Sequence, residues 1–427
     1  MPELPDVSQQ YNLITYSNYI NFIWYSVQHY IFLWRIIRMI KSFSALYAGH
    51  VLEGENIGFS GTPHDDRWYT NERLIEVFDI AKESAIFMDE LGYDVLWMAE
   101  HHFQREGYEC IPNLLILSQY LCQFTKRLKF GCGFNILPMW HPIRLAEDYA
   151  MVDILTGGRV ILGVGRGYHT REVETFGAPM QDSDANRELF EEQFEIMMKA
   201  FNEDSFSHKG KNYTIPPEVP YRGYTLKDVT LVPRPVHPVE VWQPLVSGSE
   251  RGMDFMAKHG VKGLILGTHA DYVDDYMIKF QAVNSKYGRD MPLGGNLGLG
   301  LWLYLDDTVE KAEKSLQPLF EEHVKFAAPL GMLRYTDDQM KEIGPGGVGR
   351  HIAAGNDFRD VLNKRAWFAG DTNSTISYLK EIEEKYPGIE QIMIGFPMGE
   401  TKAQFKEQLT RFAKEVMPAF QGQAAKT

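Results

Sequence analysis

Two adjacent histidines follow an acidic residue directly after a strongly apolar run. The segment reads Ala99-Glu100-His101-His102-Phe103 and comes after Asp94-Val95-Leu96-Trp97-Met98. Successive side chains of an extended segment point to opposite sides, so we expect only one of the two histidines to face a pocket. Histidine exchanges protons near neutral pH, which makes this segment a candidate for acid–base chemistry. No metal is expected, because the spacing matches neither a zinc-protease motif nor a facial triad.

Two turns rich in small residues are suited to binding an anion. Gly163-Val164-Gly165-Arg166-Gly167 ends an apolar run, and its glycines let backbone amides approach an anion that Arg166 can bind with two N–H groups. Val246-Ser247-Gly248-Ser249-Glu250-Arg251-Gly252 leads into a helical stretch, whose first amides are free to bind an anion. One such turn would mean little, whereas the pair predicts one phosphorylated cofactor held between them.

The elements that must position these residues alternate between short apolar runs and helical stretches, as in βα units around a parallel sheet. Eight runs are predicted to be buried strands: Phe43–Tyr47, Asp94–Ala99, Leu128–Ile136, Arg159–Gly163, Val239–Val246, Gly263–Leu266, Leu297–Leu305 and Gln391–Phe396. The predicted helices are Glu72–Leu91, Leu114–Lys126, Ile143–Leu155, Asn186–Asn202, Gly252–His259, Asp271–Tyr287, Val309–Lys325, Thr372–Lys385 and Lys402–Met417. An open doubly wound sheet is the alternative, but polar motifs at strand ends favour a single (β/α)8 TIM barrel.

Three stretches depart from this alternation. Residues 1–38 are predicted to be an N-terminal extension before one domain of residues 39–427. Within it, Tyr19–Ile40 is apolar but interrupted by polar residues, so an inert extension or a translation start at Met39 is favoured over a membrane anchor. Phe206–Pro238 is expected to be a long loop. Ala327–Trp367 is expected to be a mobile lid before the last strand.

Charge and cysteine usage narrow the class of protein. The formal net charge of −14 argues against a nucleic-acid partner, which would require a basic surface. Cys110, Cys122 and Cys132 have neither disulfide nor zinc-finger spacing, which favours a reducing compartment and a cytoplasmic location. Glu3 and Asp6 are acidic at positions where a secretory signal peptide would be basic, so no signal peptide is expected here.

At these motifs the chain resembles the bacterial luciferase-like flavin-dependent monooxygenases. The resemblance runs through several segments in order: the EHHF motif at Glu100–Phe103, the LP-x-x-HP-x-R-x-AED stretch at Leu137–Asp148, then Gly158 to Gly167, and Phe176-Gly177. It covers Phe43 to Gly267 well and Gly370 to Phe420 more loosely. It implies the TIM barrel and a flavin site at the carboxyl ends of the strands.

The resemblance also implies roles for individual residues. His101 matches the family's active-site histidine, which assists formation and breakdown of the flavin peroxide adduct. Arg166 and Arg187 match the arginines that hold the FMN phosphate. The other cofactor-binding positions that it implies are Glu100, Gly133, Phe134, Gly248, Ser249 and Gly252. Gly133–Phe134 matches a bond that can be cis beside the flavin ring, whereas Gly165 stands where the luciferase α chain has its reactive cysteine.

The function implied is oxidation of a hydrophobic small molecule, such as a long-chain aldehyde or a terpenoid, with reduced FMN and O2. Aromatic residues near the motifs fit an apolar substrate: Phe103, Trp140, Tyr168 and Phe176. Reduced FMN is expected from a separate flavin reductase, and the chain is expected to form a homodimer. Three alternatives stay open at this point: an F420-dependent oxidoreductase of the same fold, a non-catalytic flavin-binding partner subunit, and a membrane-tethered scaffold anchored through residues 19–40.

Overall fold

Eight parallel strands form a closed barrel in the computed structural model, which describes residues 40–246, 248–266, 270–327, 330 and 357–420. The barrel strands are β1 Ser42–Tyr47, β2 Val95–Met98, β3 Lys129–Cys132, β4 Val160–Gly165, β5 Val241–Pro244, β6 Lys262–Leu266, β7 Leu297–Leu305 and β8 Gln391–Gly395. Each pairs in parallel with the next, and β1 pairs with both β2 and β8, which closes the ring. The TIM-barrel prediction is confirmed.

All eight predicted strands are present, with one internal interruption. The predicted run Leu128–Ile136 is divided into β3 and a two-residue strand, Asn135–Ile136, which pairs with the end of β4. Between them lies the Gly133–Phe134 bond, which is cis, as the resemblance implied. A further strand, Trp367–Gly370, pairs with β7 outside the closed ring.

The nine predicted helices are present, together with two short helices that were not predicted, Thr170–Val173 and Phe358–Asn363. They are α1 Asn71–Leu91, α2 Leu114–Cys122, α3 Pro142–Thr156, α4 Thr170–Val173, α5 Ser183–Asn202, α6 Glu250–His259, α7 Ala270–Lys286, α8 Val309–Ala327, α9 Phe358–Asn363, α10 Thr372–Lys385 and α11 Lys402–Arg411. The chain after α11 continues as a π turn, Phe412–Val416, and a 3-10 turn, Met417–Ala419. Capping side chains help to set the helix starts, because Thr70 and Ser249 each accept a hydrogen bond from a first-turn amide.

Tryptophans fill the inside of the barrel. Trp97 on β2 and Trp242 on β5 meet edge to face with their rings 5.6 Å apart, and Trp97 Nε1 donates to Gln391 Oε1 at 2.7 Å. On the neighbouring strand, a Cβ at Gly131 would lie 2.3 Å from the Trp97 ring, so only glycine fits there. A larger apolar layer lies between the strands and the helices. The interior of the barrel is therefore filled with side chains, and the open end of the barrel lies above them.

The stretches that departed from the alternation are only partly described. The predicted loop Phe206–Pro238 contains two short antiparallel hairpins, His208–Lys209 with Thr214–Ile215 and Pro220–Tyr221 with Tyr224–Thr225. Most of the predicted lid, Ala327–Trp367, and residues 1–39 lie outside the described residues. Within the part of the chain that is described, no helix combines the length and apolar character needed to cross a bilayer.

Candidate active site

The carboxyl ends of β2, β3 and β4 bring the predicted site segments together. Gly133 N donates to Met98 O at 2.7 Å, which joins the end of β3 to the end of β2. A Cβ at Gly165 would lie 3.3 Å from Phe134 Cβ, so the ends of β3 and β4 are in contact as well. His101, Phe134 and Arg166 therefore follow three adjacent strands, although about 30 residues of chain separate each from the next.

Glu100 holds this end of the barrel together from within. Its carboxylate is buried and accepts hydrogen bonds from Ile136 N and Trp140 Nε1, both at 2.8 Å, and its Oε1 lies 3.2 Å from His102 Nε2. These contacts link β2 to the segment that follows β3. Contact between Glu100 and a cofactor stays a prediction.

His101 is only 5% exposed and lies among acidic side chains. Its Nδ1 is 3.2 Å from both carboxylate oxygens of Glu172. Its Nε2 is 3.1 Å from Glu109 Oε2 and 2.9 Å from the Tyr168 hydroxyl. Gln104 Nε2 donates to both Glu109 and Glu172 at 3.2 Å, which ties the two carboxylates to one side chain.

The cluster is poised for proton transfer near neutral pH. Burial raises the pKa of Glu109 to about 7. Burial alone would raise the pKa of Glu172, but hydrogen bonds from His101 and the charge of that ring lower it. Burial alone would lower the pKa of His101, but the charges of Glu109 and Glu172 outweigh burial, and the net pKa is raised. A histidine with these neighbours can act as a general acid or base.

The ring of His102 has different neighbours from the ring of His101, and which of the two faces a pocket stays a prediction. Its Nε2 faces Glu100, and its ring packs edge-on against Phe176 with centroids 4.7 Å apart. Phe103 follows with a positive φ of 64°, which is uncommon for a bulky residue, and it stacks on Phe176 at 5.7 Å. Phe103 is 51% exposed and Phe176 47% exposed, so this pair presents an apolar surface beside the histidines.

The two predicted anion-binding turns meet at a cluster of arginines. Arg166 directly follows β4. The pKa of its guanidinium is lowered, mainly by burial and next by the charge of Arg187. A Cβ at Gly252, in the first turn of α6, would lie 3.9 Å from Arg187 Nη1. Ser249 caps the same helix and accepts from Gly252 N. Arg166, Arg187 and the start of α6 therefore converge.

Charge in this cluster is only partly balanced by the described acidic residues. Glu191 pairs with Arg251 at 2.9 Å and lies 4.0 Å from Arg187. Arg166 forms no ion pair within the described ranges, and its Nη1 contacts only the Ser183 carbonyl oxygen, at 3.5 Å. Excess positive charge beside a helix N-terminus is the arrangement that binds phosphate. Gly248 precedes the helix with φ 53°, and a Cβ there would overlap the Tyr276 ring.

Four residues of the histidine cluster were not among the predicted site residues: Gln104, Glu109, Glu172 and His169. His169 lies beside Gln104, and burial lowers the pKa of its imidazole to about 4. Ligand-type atoms of His101, Glu109 and His169 lie within 4.8 Å of one another. These atoms already share hydrogen bonds with Gln104 and Tyr168, so we interpret the group as a hydrogen-bonded cluster. The expectation of no metal stays a prediction.

Known proteins match most of the length of this chain. A family model described as luciferase-like monooxygenase matches residues 56–385. The chain is 24% identical over 347 residues to 4-hydroxyprotoasukamycin monooxygenase of Streptomyces nodosus, covering 80% of this chain and 86% of that protein. It is 23% identical over 370 residues to the oxygenase component of a flavin-dependent trigonelline monooxygenase of Acinetobacter baylyi, covering 85% and 95%. A shorter match, 33% over 135 residues to an uncharacterised protein of Sinorhizobium fredii, covers 32% of this chain and 37% of that protein's length.

Solved structures share the fold. The oxygenating constituent of 3,6-diketocamphane monooxygenase from Pseudomonas putida, in complex with FMN, has a TM-score of 0.65 and 19% identity, covering 89% of this chain and 99% of that one. An F420-dependent secondary alcohol dehydrogenase has a TM-score of 0.62 and 16% identity, covering 90% and 100%. At these identities the likeness shows the barrel and leaves the choice of cofactor to the residues of this chain.

Proposed function

This chain belongs to the luciferase-like monooxygenase family and is an oxidoreductase, and we propose that it uses reduced FMN and O2 to oxidise a hydrophobic small molecule. One observation carries the proposal. A buried histidine with carboxylate partners and a cluster of arginines at a helix N-terminus lie at the ends of neighbouring strands. A long-chain aldehyde or a terpenoid is the class of substrate that we propose.

FMN fits the anion site by charge and by space. Arg166 and Arg187 would hold the phosphate, with Ser249 and the amide of Gly252 completing the site, because a side chain at Gly252 would crowd Ser249 Oγ and approach Arg187. Gly133 and Phe134 lie at the end of β3, where the flavin ring is proposed to bind. Bound reduced FMN supplies the electrons with which O2 is activated.

His101 would hold and move a proton beside the reacting groups. Its ring is buried, so bulk water has little access to Nδ1 or Nε2. Exclusion of water matters in this chemistry, because reduced flavin otherwise passes its electrons to O2 to give hydrogen peroxide. Phe103 and Phe176 offer an apolar surface next to the same segment, which supports a hydrophobic substrate.

Single-turnover reactions of the full chain with reduced FMN and O2 test the proposal across a panel of aldehydes and terpenoids. Oxygenated product and hydrogen peroxide would be measured together. His101→Ala should bind FMN normally and lose product by about 10²- to 10⁴-fold, with peroxide rising in its place. His102→Ala is the matched control and should act mainly through stability. Full product yield from His101→Ala would contradict the assignment of this histidine. Turnover with reduced F420 in the absence of O2 would show that the cofactor is F420 and not FMN.

A flavin reductase is the proposed partner that supplies reduced FMN. The relative from Acinetobacter is named as an oxygenase component, which supports a two-component system. A cytoplasmic location is proposed with it, because the three cysteines are free and a reducing compartment keeps them so. We retain residues 39–427 as one proposed domain, preceded by an extension of residues 1–38.

A homodimer is proposed through one face of the barrel. Large apolar side chains are exposed on three successive helices, α1, α2 and α3: Ile75, Phe78, Ile116, Tyr120, Met151, Ile154 and Leu155. Ile116 is 69% exposed and Leu155 61% exposed, and α2 packs directly on α3. Several exposed apolar side chains on helices that pack against one another are typical of a protein interface, and we propose that a second copy of this chain covers them.

A further inference from the structure

We propose that Glu109 is the proton partner of His101: the proton that Nε2 of His101 gives up or takes up is exchanged with Oε2 of Glu109, beside the Tyr168 hydroxyl. The inference rests on the proposed function, in which His101 is the acid–base group. Glu109 is a positioning residue in this scheme, because it acts on the reacting groups through His101.

The tautomer of His101 follows from Glu172. The pKa of Glu172 is lowered, so its carboxylate is ionised and can only accept hydrogen bonds. It accepts from His102 N at 3.0 Å and from Gln104 Nε2 at 3.2 Å, and it lies 3.2 Å from His101 Nδ1. Nδ1 must therefore carry a hydrogen. Nε2 is left as the atom of His101 at which a proton comes and goes.

Glu109 is the acidic group that faces this atom. Its carboxylate is buried, with Oε2 3.1 Å from Nε2. Among the described residues, no lysine or arginine forms an ion pair with Glu109, so its charge is balanced mainly by His101. The polar and titratable groups around it are His101, Gln104, Cys110, Tyr168 and Glu172, with His169 reached through Gln104.

The exchange conserves atoms and charge within the pair. When the proton moves toward the ring, the O–H bond at Glu109 Oε2 breaks and an N–H bond forms at His101 Nε2. A neutral acid and a neutral imidazole then become a carboxylate and an imidazolium. The Tyr168 hydroxyl lies 2.9 Å from Nε2 and 3.2 Å from Oε2, so it can hydrogen-bond to the pair in either state. Glu172 stays ionised throughout and keeps the ring oriented.

Titration of the His101 imidazole by NMR tests the pair directly. The full chain would be labelled with 15N-histidine, and the His101 signal assigned by its loss in His101→Gln. A chelator in the buffer keeps trace metal from competing with protons. Glu109→Gln keeps the size and polarity of the side chain but cannot exchange the proton. We expect the titration of His101 to shift down by about one to three pH units, as happens when an opposite charge is removed at this distance.

Two further variants keep the test decisive. Glu106→Gln is the matched control, because Glu106 is on the same loop but pairs with Arg171 at 2.7 Å, and it should leave His101 unchanged. Glu109→Asp retains the carboxylate and its exchangeable proton, so it should bring the His101 titration most of the way back to the wild-type value, and it gives a second variant to measure if Glu109→Gln folds poorly. An unchanged His101 titration in folded Glu109→Gln, or an equal shift in Glu106→Gln, would overturn the inference.

Activity gives the second readout. Glu109→Gln should bind FMN with unchanged affinity and change the pH dependence of product formation relative to peroxide, whereas a purely structural role would lower the yield equally at every pH. The titration needs neither flavin nor substrate. If the wild-type protein oxygenates nothing but Glu109→Gln still shifts His101, the proposed function fails and the proton pair stands. If the wild type oxygenates and His101 does not shift, only this inference fails.

Discussion

Replacing Arg166 with alanine should separate phosphate binding from folding. Arg166 has no ion-pair partner within the described residues, and its pKa is lowered first by burial and then by the neighbouring guanidinium of Arg187. Removing a cation from a cluster of cations costs the fold little, so we expect the free energy of unfolding to change by no more than about 0.5 kcal/mol. The full effect should appear in FMN binding.

The size of that effect follows from the kind of contact. Hydrogen bonds between charged groups contribute about 1.5–3 kcal/mol each on a net basis. Since every 1.4 kcal/mol is a factor of ten, Arg166→Ala should raise the Kd for FMN by about 10- to 150-fold. Arg187 and the start of α6 remain, so binding should weaken rather than disappear. The loss should shrink as salt is added, because Arg166 is only half-buried and the charge of its guanidinium is partly screened by ions.

Fluorescence titration with two ligands identifies which part of the flavin Arg166 contacts. FMN and riboflavin share the ring system, and only FMN carries the phosphate. Arg166→Ala should weaken FMN and leave riboflavin unchanged. The matched control is Arg144→Ala, whose guanidinium pairs with Glu147 in its own helix and should affect neither ligand. Equal weakening of both ligands, or an unchanged Kd for FMN in the folded variant, would show that Arg166 does not bind the phosphate.

Three other substitutions probe the dimer face and the interior. Ile116→Lys should convert the protein to a monomer at micromolar concentration in sedimentation, and an unchanged mass would argue against the helix face; Lys126→Ala is the exposed control. Glu400→Gln should raise Tm at pH 8 and leave it almost unchanged at pH 4. Burial raises the pKa of Glu400 well above its usual value, so this carboxyl group destabilises the fold increasingly as pH rises above about 4.5. An equal change in Tm at both pH values would refute this. Arg67→Met should lower the free energy of unfolding by about 1–3 kcal/mol in denaturant titration, because it removes one of two cations that pair with the buried Glu322 carboxylate, the other being Lys325 at 2.7 Å. An unchanged free energy of unfolding would refute this.

Local patterns in the sequence are enough to locate the eight barrel strands, because a buried parallel strand needs only a short apolar run. The alternation of strand and helix left two topologies, an open doubly wound sheet and a barrel, and the polar motifs at strand ends favoured the barrel. Element ends were less predictable. The run through Leu128–Ile136 reads as one apolar strand, but its backbone changes direction at Gly133–Phe134, which hydropathy does not record.

The residues of the candidate site also divide into those that the sequence predicted and those that only the structure revealed. His101 and Arg166 could be predicted because each directly follows a strand, and strand ends of one polarity gather at one end of a barrel. Arg187 could be assigned to the site only through the family resemblance, because it lies inside a helix and not at a strand end. In the structure α5 lies beside α6, and this brings Arg187 close to Gly252. Glu109 has no sequence pattern around it that distinguishes it from other acidic residues of the same loop, such as Glu106.

The sequence by itself determined the eight barrel strands and the order of the longer helices, the histidine at a strand end and the two anion-binding turns, because these depend on local periodicity and on residue type. Only the tertiary structure decided which charges meet. Glu109 lies in the same loop as His101, whereas Glu172 lies in α4, 71 residues away, and only the closed barrel brings both carboxylates to one imidazole. Their effect on proton affinity comes from burial and distance, which exist only after the chain has folded around them.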